Sequence, residues 1–260
     1  MLAALVGRGL TVVVADGLGL GSPGQPTVGA AAIDGPVLLD AVRAARALPE
    51  AEIGPSWPVG LLGYSVGAAA VAQAAAIQPR DAPELPLAVV AVGGAPVDLP
   101  AYVRLGLRSG ASVAALSALV GLRAADPTLP APPLTPVGRA AVGIAERSCI
   151  FPAIAAVALL GPARPSTFVT ADPFADERWQ QAAERQWPGV DAPRVPVLLF
   201  LAARDQAVPI SGALRLRDAW RAAGAPVTWW AMPTDHIGGL LLGVPAAIDW
   251  LSARLSAPRG

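Results

Sequence analysis

Val59-Gly60-Leu61-Leu62-Gly63-Tyr64-Ser65-Val66-Gly67-Ala68-Ala69-Ala70 is the stretch that decides how the chain folds. Its first half is apolar and of strand length. Its second half opens an Ala-rich run to residue 78, where Pro79 is expected to stop a helix. Between them Gly63, Ser65 and Gly67 form a G-x-S-x-G pattern. Small residues on either side of the serine allow the sharp strand-to-helix turn that lifts a serine hydroxyl clear of a sheet. Five letters are a weak signal in a chain with 27 glycines, and a Gly-rich turn carrying an ordinary serine is the competing reading. The strand–turn–helix context favours the reactive serine.

Outward from this stretch, apolar runs of strand length recur at residues 11–16, 87–94, 195–203 and 227–233. They lack alternation, as strands buried on both faces do. Helical patterns separate them at about 38–48, 66–78, 212–223 and 245–256. Such alternation predicts an open, mostly parallel α/β sheet flanked by helices. The rhythm fails between residues 99 and 190, where helical stretches at 103–123 and 137–160 are punctuated by prolines from Pro127 to Pro165. The expected organisation is therefore a sheet core in two parts, 1–98 and 191–260, with a helical cap inserted at 99–190.

Composition removes several function classes. Among 260 residues, 19 basic and 19 acidic side chains cancel, and every basic one is Arg. Nucleic-acid binding needs a surplus of basic charge, so it is not expected. A single cysteine, Cys149, and a single histidine, His236, exclude an intrachain disulfide and cysteine- or histidine-built metal centres. No metal or cofactor is expected. The mean hydropathy of +0.52 is high, but the charge-free run 53–79 is interrupted by Pro55, Pro58, Gly60, Gly63 and Gly67. The apolar run 150–162 is shorter than the roughly 20 residues that cross a bilayer. No transmembrane segment is expected. Met1 to Val6 lacks the basic n-region of a secretory signal, which places the protein in the cytoplasm if Met1 is its true start.

A serine becomes a nucleophile only when a base takes its proton. A lone histidine is more often structural than basic, but His236 lies in the Gly-rich loop Pro233-Thr234-Asp235-His236-Ile237-Gly238-Gly239, after a strand and before the last helix. Functional loops gather at that end of a sheet. The carboxylate that orients the imidazole is assigned to Asp205, just after the strand 195–203. Asp235 is the rival, though its neighbour in sequence is the histidine itself; Asp218 falls on a helix and is expected in solvent. The order Ser65, Asp205, His236 is that of the α/β-hydrolases, and the backbone N–H of Val66 would be an oxyanion donor. Gly19, Gly21 and Gly24 also satisfy a dinucleotide-binding G-x-G-x-x-G, but prolines extend the loop and no second strand follows. In the insert, Phe151, Ile154, Val157, Leu159 and Leu160 either line a lid or pack it, and Trp179 and Trp187, beside charges, are candidates for the lid's edge.

Asp16-Gly17-Leu18-Gly19-Leu20-Gly21-Ser22-Pro23-Gly24 resembles the D-Y-x-G-L-G-x-P-G segment of the secretory lipase family of yeasts and actinobacteria. Gly63 to Gly67 resembles that family's G-Y-S-Q-G elbow, Asp235 to Gly239 its closing D-H-x-G motif, and residues 37–48 the helix before its nucleophile strand. The resemblance implies an exported α/β-hydrolase with a helical lid, a carboxylic-ester hydrolase acting like a triacylglycerol lipase on acylglycerols or apolar acyl esters, and contact with a lipid interface. Gly17 and Val66 depart from the family's Tyr and Gln. By resemblance, residues 2–8 form the helix after the loop that gives the second oxyanion donor. The family's first strands, one of them between residues 11–16 and 59–64, would then lie upstream. The alternative expectation is a truncated or vestigial hydrolase-like protein with little or no activity.

Overall fold

The computed structural model describes residues 1–21 and 23–256, so Ser22 of the Gly-rich segment lies outside the described residues. Four strands, β1 (Val59–Tyr64), β2 (Leu87–Gly93), β3 (Val197–Ala202) and β4 (Val227–Met232), pair in parallel in chain order. Helices cover both faces, which explains why the strands show no polar alternation. Successive side chains divide between those faces. Val90, Val92, Val197 and Leu199 pack with α2 (Ala31–Ala47), α3 (Val66–Asp81) and α10 (Ile210–Ala222). Val89, Ala91, Leu198 and Phe200 pack with α1 (Leu2–Val6) and α12 (Val244–Leu255).

Between β2 and β3 the chain builds a separate helical core. It comprises α4 (Leu99–Gly106), α5 (Ser112–Ala125), α6 (Pro136–Ala145), α7 (Ile150–Ala158), the single turn α8 (Pro165–Phe168) and α9 (Glu177–Glu184). The two helical stretches expected there are each broken. After α4 the Ser109 hydroxyl accepts from the Ala111 N–H, an alternative to helical bonding. Between α6 and α7, Pro152 is tolerated in the first turn of a new helix, but its ring would collide with the carbonyl four residues earlier in a continuous one. Trp179 is not at an edge: it is buried against Phe174 at 6.3 Å, edge to face. Val157 packs the helical core, whereas Phe151 and Leu159 are exposed.

Two further expectations change. Residues 11–16 form no strand or other regular element, and Val13 and Val14 are 43% and 65% exposed. A strand exists only in a ladder, and β1, the edge of the sheet, pairs with β2 alone. Helix α3 runs through Pro79 to Asp81, so the proline does not stop it, and the helix ends two residues later. The stretch His236–Leu255 is long and apolar enough to span a bilayer by length and composition. Its Val244, Ala247, Ile248 and Leu251 are, however, buried against the sheet.

Candidate active site

Three loops leave the C-terminal ends of β1, β3 and β4, where α/β sheets place their ligands. The first is the turn into α3. Ser65 sits at φ 55° and ψ −128°, a strained conformation for a residue with a Cβ. It is held there by its N–H, which donates to the Gly93 carbonyl at 2.8 Å, and by its carbonyl, which accepts from the Ala68 N–H at 2.9 Å. The turn is tight because a Cβ on Gly63 would stand 2.5 Å from the Gly67 carbonyl oxygen. At Gly67 a Cβ would meet nothing within 4 Å, so only one of the two glycines is required by contact. Val66 opens α3, and its N–H has no hydrogen-bond partner among the described residues.

The second and third loops are tied together beyond their strands. The Ala203 N–H donates to the Met232 carbonyl at 2.7 Å, and the Arg204 N–H to the Thr234 carbonyl at 3.0 Å. Asp205 Oδ1 accepts from the backbone N–H groups of Ala207 and Val208 at 2.8 and 2.7 Å. That fixes the carboxylate so that Oδ2 lies 2.7 Å from His236 Nδ1. His236 Nε2 lies 3.1 Å from Ser65 Oγ. The imidazole is 14% exposed and the carboxylate 3%, so water competes little for either bond. Asp235 is occupied elsewhere: its Oδ1 accepts from the Gly238 N–H at 2.7 Å and caps the turn α11 (His236–Gly238). Asp218 lies on the surface of α10, paired with Arg217 at 2.8 Å.

Two groups around His236 were not singled out from the sequence. The Tyr64 hydroxyl donates to the His236 carbonyl at 2.6 Å, and the Gln206 side-chain oxygen accepts from the His236 N–H at 3.2 Å. Tyr64 belongs to the G-x-S-x-G pattern, but nothing in the pattern says where its hydroxyl goes. Burial, with Asp205 and Asp235 nearby, pushes the Tyr64 phenol well above its ordinary pKa, so it remains a donor.

Ser65 and His236 open into a groove of about 1160 Å³, lined also by residues 10–16, β1 and the Ala111, Ala114, Phe151 and Ile154 side chains of the helical segment. Asp34 of α2 lines it too; burial raises its pKa to about 6 against the opposing bond from Thr27 Oγ1 at 3.2 Å. No cluster of His, Cys, Asp and Glu suited to a metal ion occurs among the described residues.

The model of the secretory lipase family matches residues 1–259. The chain belongs to the secretory lipase family. A secreted triacylglycerol lipase of Malassezia globosa is 26% identical over 264 residues, which cover 98% of this chain and 56% of that one. A probable inactive lipase of Mycobacterium tuberculosis is 28% identical over 267 residues, covering 98% and 57%. This family member thus spans little more than half the length of those relatives. Among solved structures, Candida antarctica lipase A superposes with a TM-score of 0.72 at 21% identity, covering 90% of this chain and 57% of that one. A hydrolase-like protein of Legionella pneumophila, described as putative, reaches 0.83 at 19%, covering 99% and 74%. The fold of this secretory lipase family member is therefore that of the α/β-hydrolases.

Proposed function

We propose that the chain is a serine carboxylic-ester hydrolase in which Ser65 is the nucleophile, His236 the general base and Asp205 the group that orients it. The observation that carries this reading is the hydrogen-bonded line from Asp205 Oδ2 through the imidazole to Ser65 Oγ. Ser65 Oγ bonds to the ester carbonyl carbon as His236 Nε2 takes the hydroxyl proton. The Val66 N–H donates to the oxyanion of the tetrahedral intermediate. Collapse expels the alcohol, which leaves with the proton from His236. Water, deprotonated by the same imidazole, then releases the acid and restores Ser65. No cofactor takes part.

The reading extends to acylglycerols and other apolar acyl esters, and to an extracellular place of work. Relatives named as secreted triacylglycerol lipases support both, as does the apolar lining that Phe151 and Ile154 give the groove. Residues 99–190 act in it as a cap over the acyl chain. A second reading, a chain of this fold with little or no activity, is favoured by the likeness to a relative named as a probable inactive lipase. Hydrolysis of p-nitrophenyl butyrate and octanoate by the 260-residue chain and by Ser65→Ala separates the two. Turnover that disappears in Ser65→Ala is the expected result. A folded wild-type chain without turnover supports the second reading.

A further inference from the structure

Tyr64 and His236 lie 172 positions apart in sequence, yet the Tyr64 hydroxyl donates to the His236 carbonyl at 2.6 Å. The two rings also touch, with centroids 5.1 Å apart and planes inclined by 42°, and the Tyr64 ring packs on Phe200 as well, at 5.9 Å between centroids. The slot is shaped for this side chain. A Cβ on Gly94, whose φ is +53°, would stand 3.3 Å from Tyr64 Cζ, and a Cβ on Gly239 would overlap the hydroxyl itself. His236 is the first residue of the continuous helical stretch His236–Leu255, at the end where backbone N–H groups have no partner within the helix and orientation depends on contacts from outside it.

We propose that Tyr64 is a positioning residue: its hydroxyl fixes the His236 carbonyl, and through it the plane of the imidazole between Asp205 and Ser65. The residue next to the nucleophile thereby locks the base to the same turn. A shift of the His236 backbone would otherwise lengthen the Nδ1 bond to Asp205 or the Nε2 bond to Ser65, because a rigid ring cannot follow both partners. The proposal rests on the hydrolase reading for its kinetic consequence but not for its geometric one.

His236 is the sole histidine, so its ring nitrogens give unambiguous signals in the full chain labelled with ¹⁵N-histidine. In wild type, the proton is expected on Nδ1, facing Asp205. Tyr64→Phe keeps the ring and removes the hydroxyl; the expected result is a mixed tautomer signal and roughly tenfold faster exchange of the Nδ1 proton with water. Turnover should fall about tenfold in kcat with KM unchanged. Gly239→Ala should reproduce both changes by displacing the hydroxyl, and should add nothing to them in the Tyr64→Phe background, where the overlap is relieved. Imidazole signals unchanged in folded Tyr64→Phe, or in folded Gly239→Ala should the first variant not fold, overturn the proposal whatever the turnover does. If wild type shows no turnover but the imidazole signals change as described, the hydrolase reading falls and the positioning role stands.

Discussion

Asp205 and Asp235 both approach His236, but their hydrogen bonds divide the work. Asp205 spends one oxygen on two backbone N–H groups and the other on the imidazole, while Asp235 caps the turn that carries the histidine. Asp205→Asn turns an amide N–H₂ toward Nδ1 and favours the wrong tautomer, so kcat should drop by about 10⁴-fold. Asp235→Ala should cost about 1 kcal/mol of stability, the usual worth of a cap, and leave kcat within about threefold. Steady-state rates and urea midpoints of the two variants test the division; the reverse pattern would make Asp235 the orienting acid. The elbow gives a second contrast. Gly63→Ala drives a methyl into the Gly67 carbonyl and should lower the melting temperature and turnover together, whereas Gly67→Ala meets open space and should leave the melting temperature unchanged or raised. Ser65, Asp205 and His236 were legible as candidates because each follows an apolar strand run. The Tyr64 tie was not, since a hydroxyl bonded to a distant backbone carbonyl leaves no spacing to read.

The four strands were legible at the scale of elements because helices on both faces leave few polar residues in them, none in the buried central strands β2 and β3 and only Tyr64 in β1 and Thr228 in β4. Residues 11–16 carry the same β-branched signature, but a side-chain pattern cannot report whether a neighbouring strand exists to pair with. The broken helices of the insert escaped for a related reason, since a short turn such as 146–149 leaves the apolar pattern on both sides intact. Packing of α10 on the sheet can be tested at one residue. Trp220 is fully buried beside Val197 and Leu199, and its Nε1–H donates to the Asp191 carbonyl at 3.0 Å, tying the helix to the segment that leads into β3. Trp220→Ala should cost about 3–5 kcal/mol, read as a lower urea midpoint with an unchanged m-value. A loss below 1 kcal/mol or so would mean that α10 contributes little to holding β3 in place.

Across the whole molecule, charge is balanced, and among the described residues nine of the 19 carboxylates pair with an Arg, as in the surface pairs Arg43–Glu84 and Arg80–Asp191, whose worth in water is small. Asp34 differs, because it is drawn into the groove without a cationic partner: burial lifts its pKa from 3.8 to about 6, and the Thr27 hydroxyl only partly offsets this. The folded chain therefore holds this proton more tightly than the unfolded one. Linkage then makes folding stability fall as pH rises from about 4 to about 6, and the deficit persists at higher pH. Asp34→Asn keeps an acceptor for Thr27 and removes the titration. The variant should melt at a higher temperature than wild type at about pH 8, with the advantage shrinking through the interval from 6 to 3.8 and vanishing below it. Melting curves of both chains across that range decide the matter. A difference that stays constant with pH would place its origin in packing, and a wild type that is the more stable at about pH 8 would mean that the ionised carboxylate is favourably held in the groove.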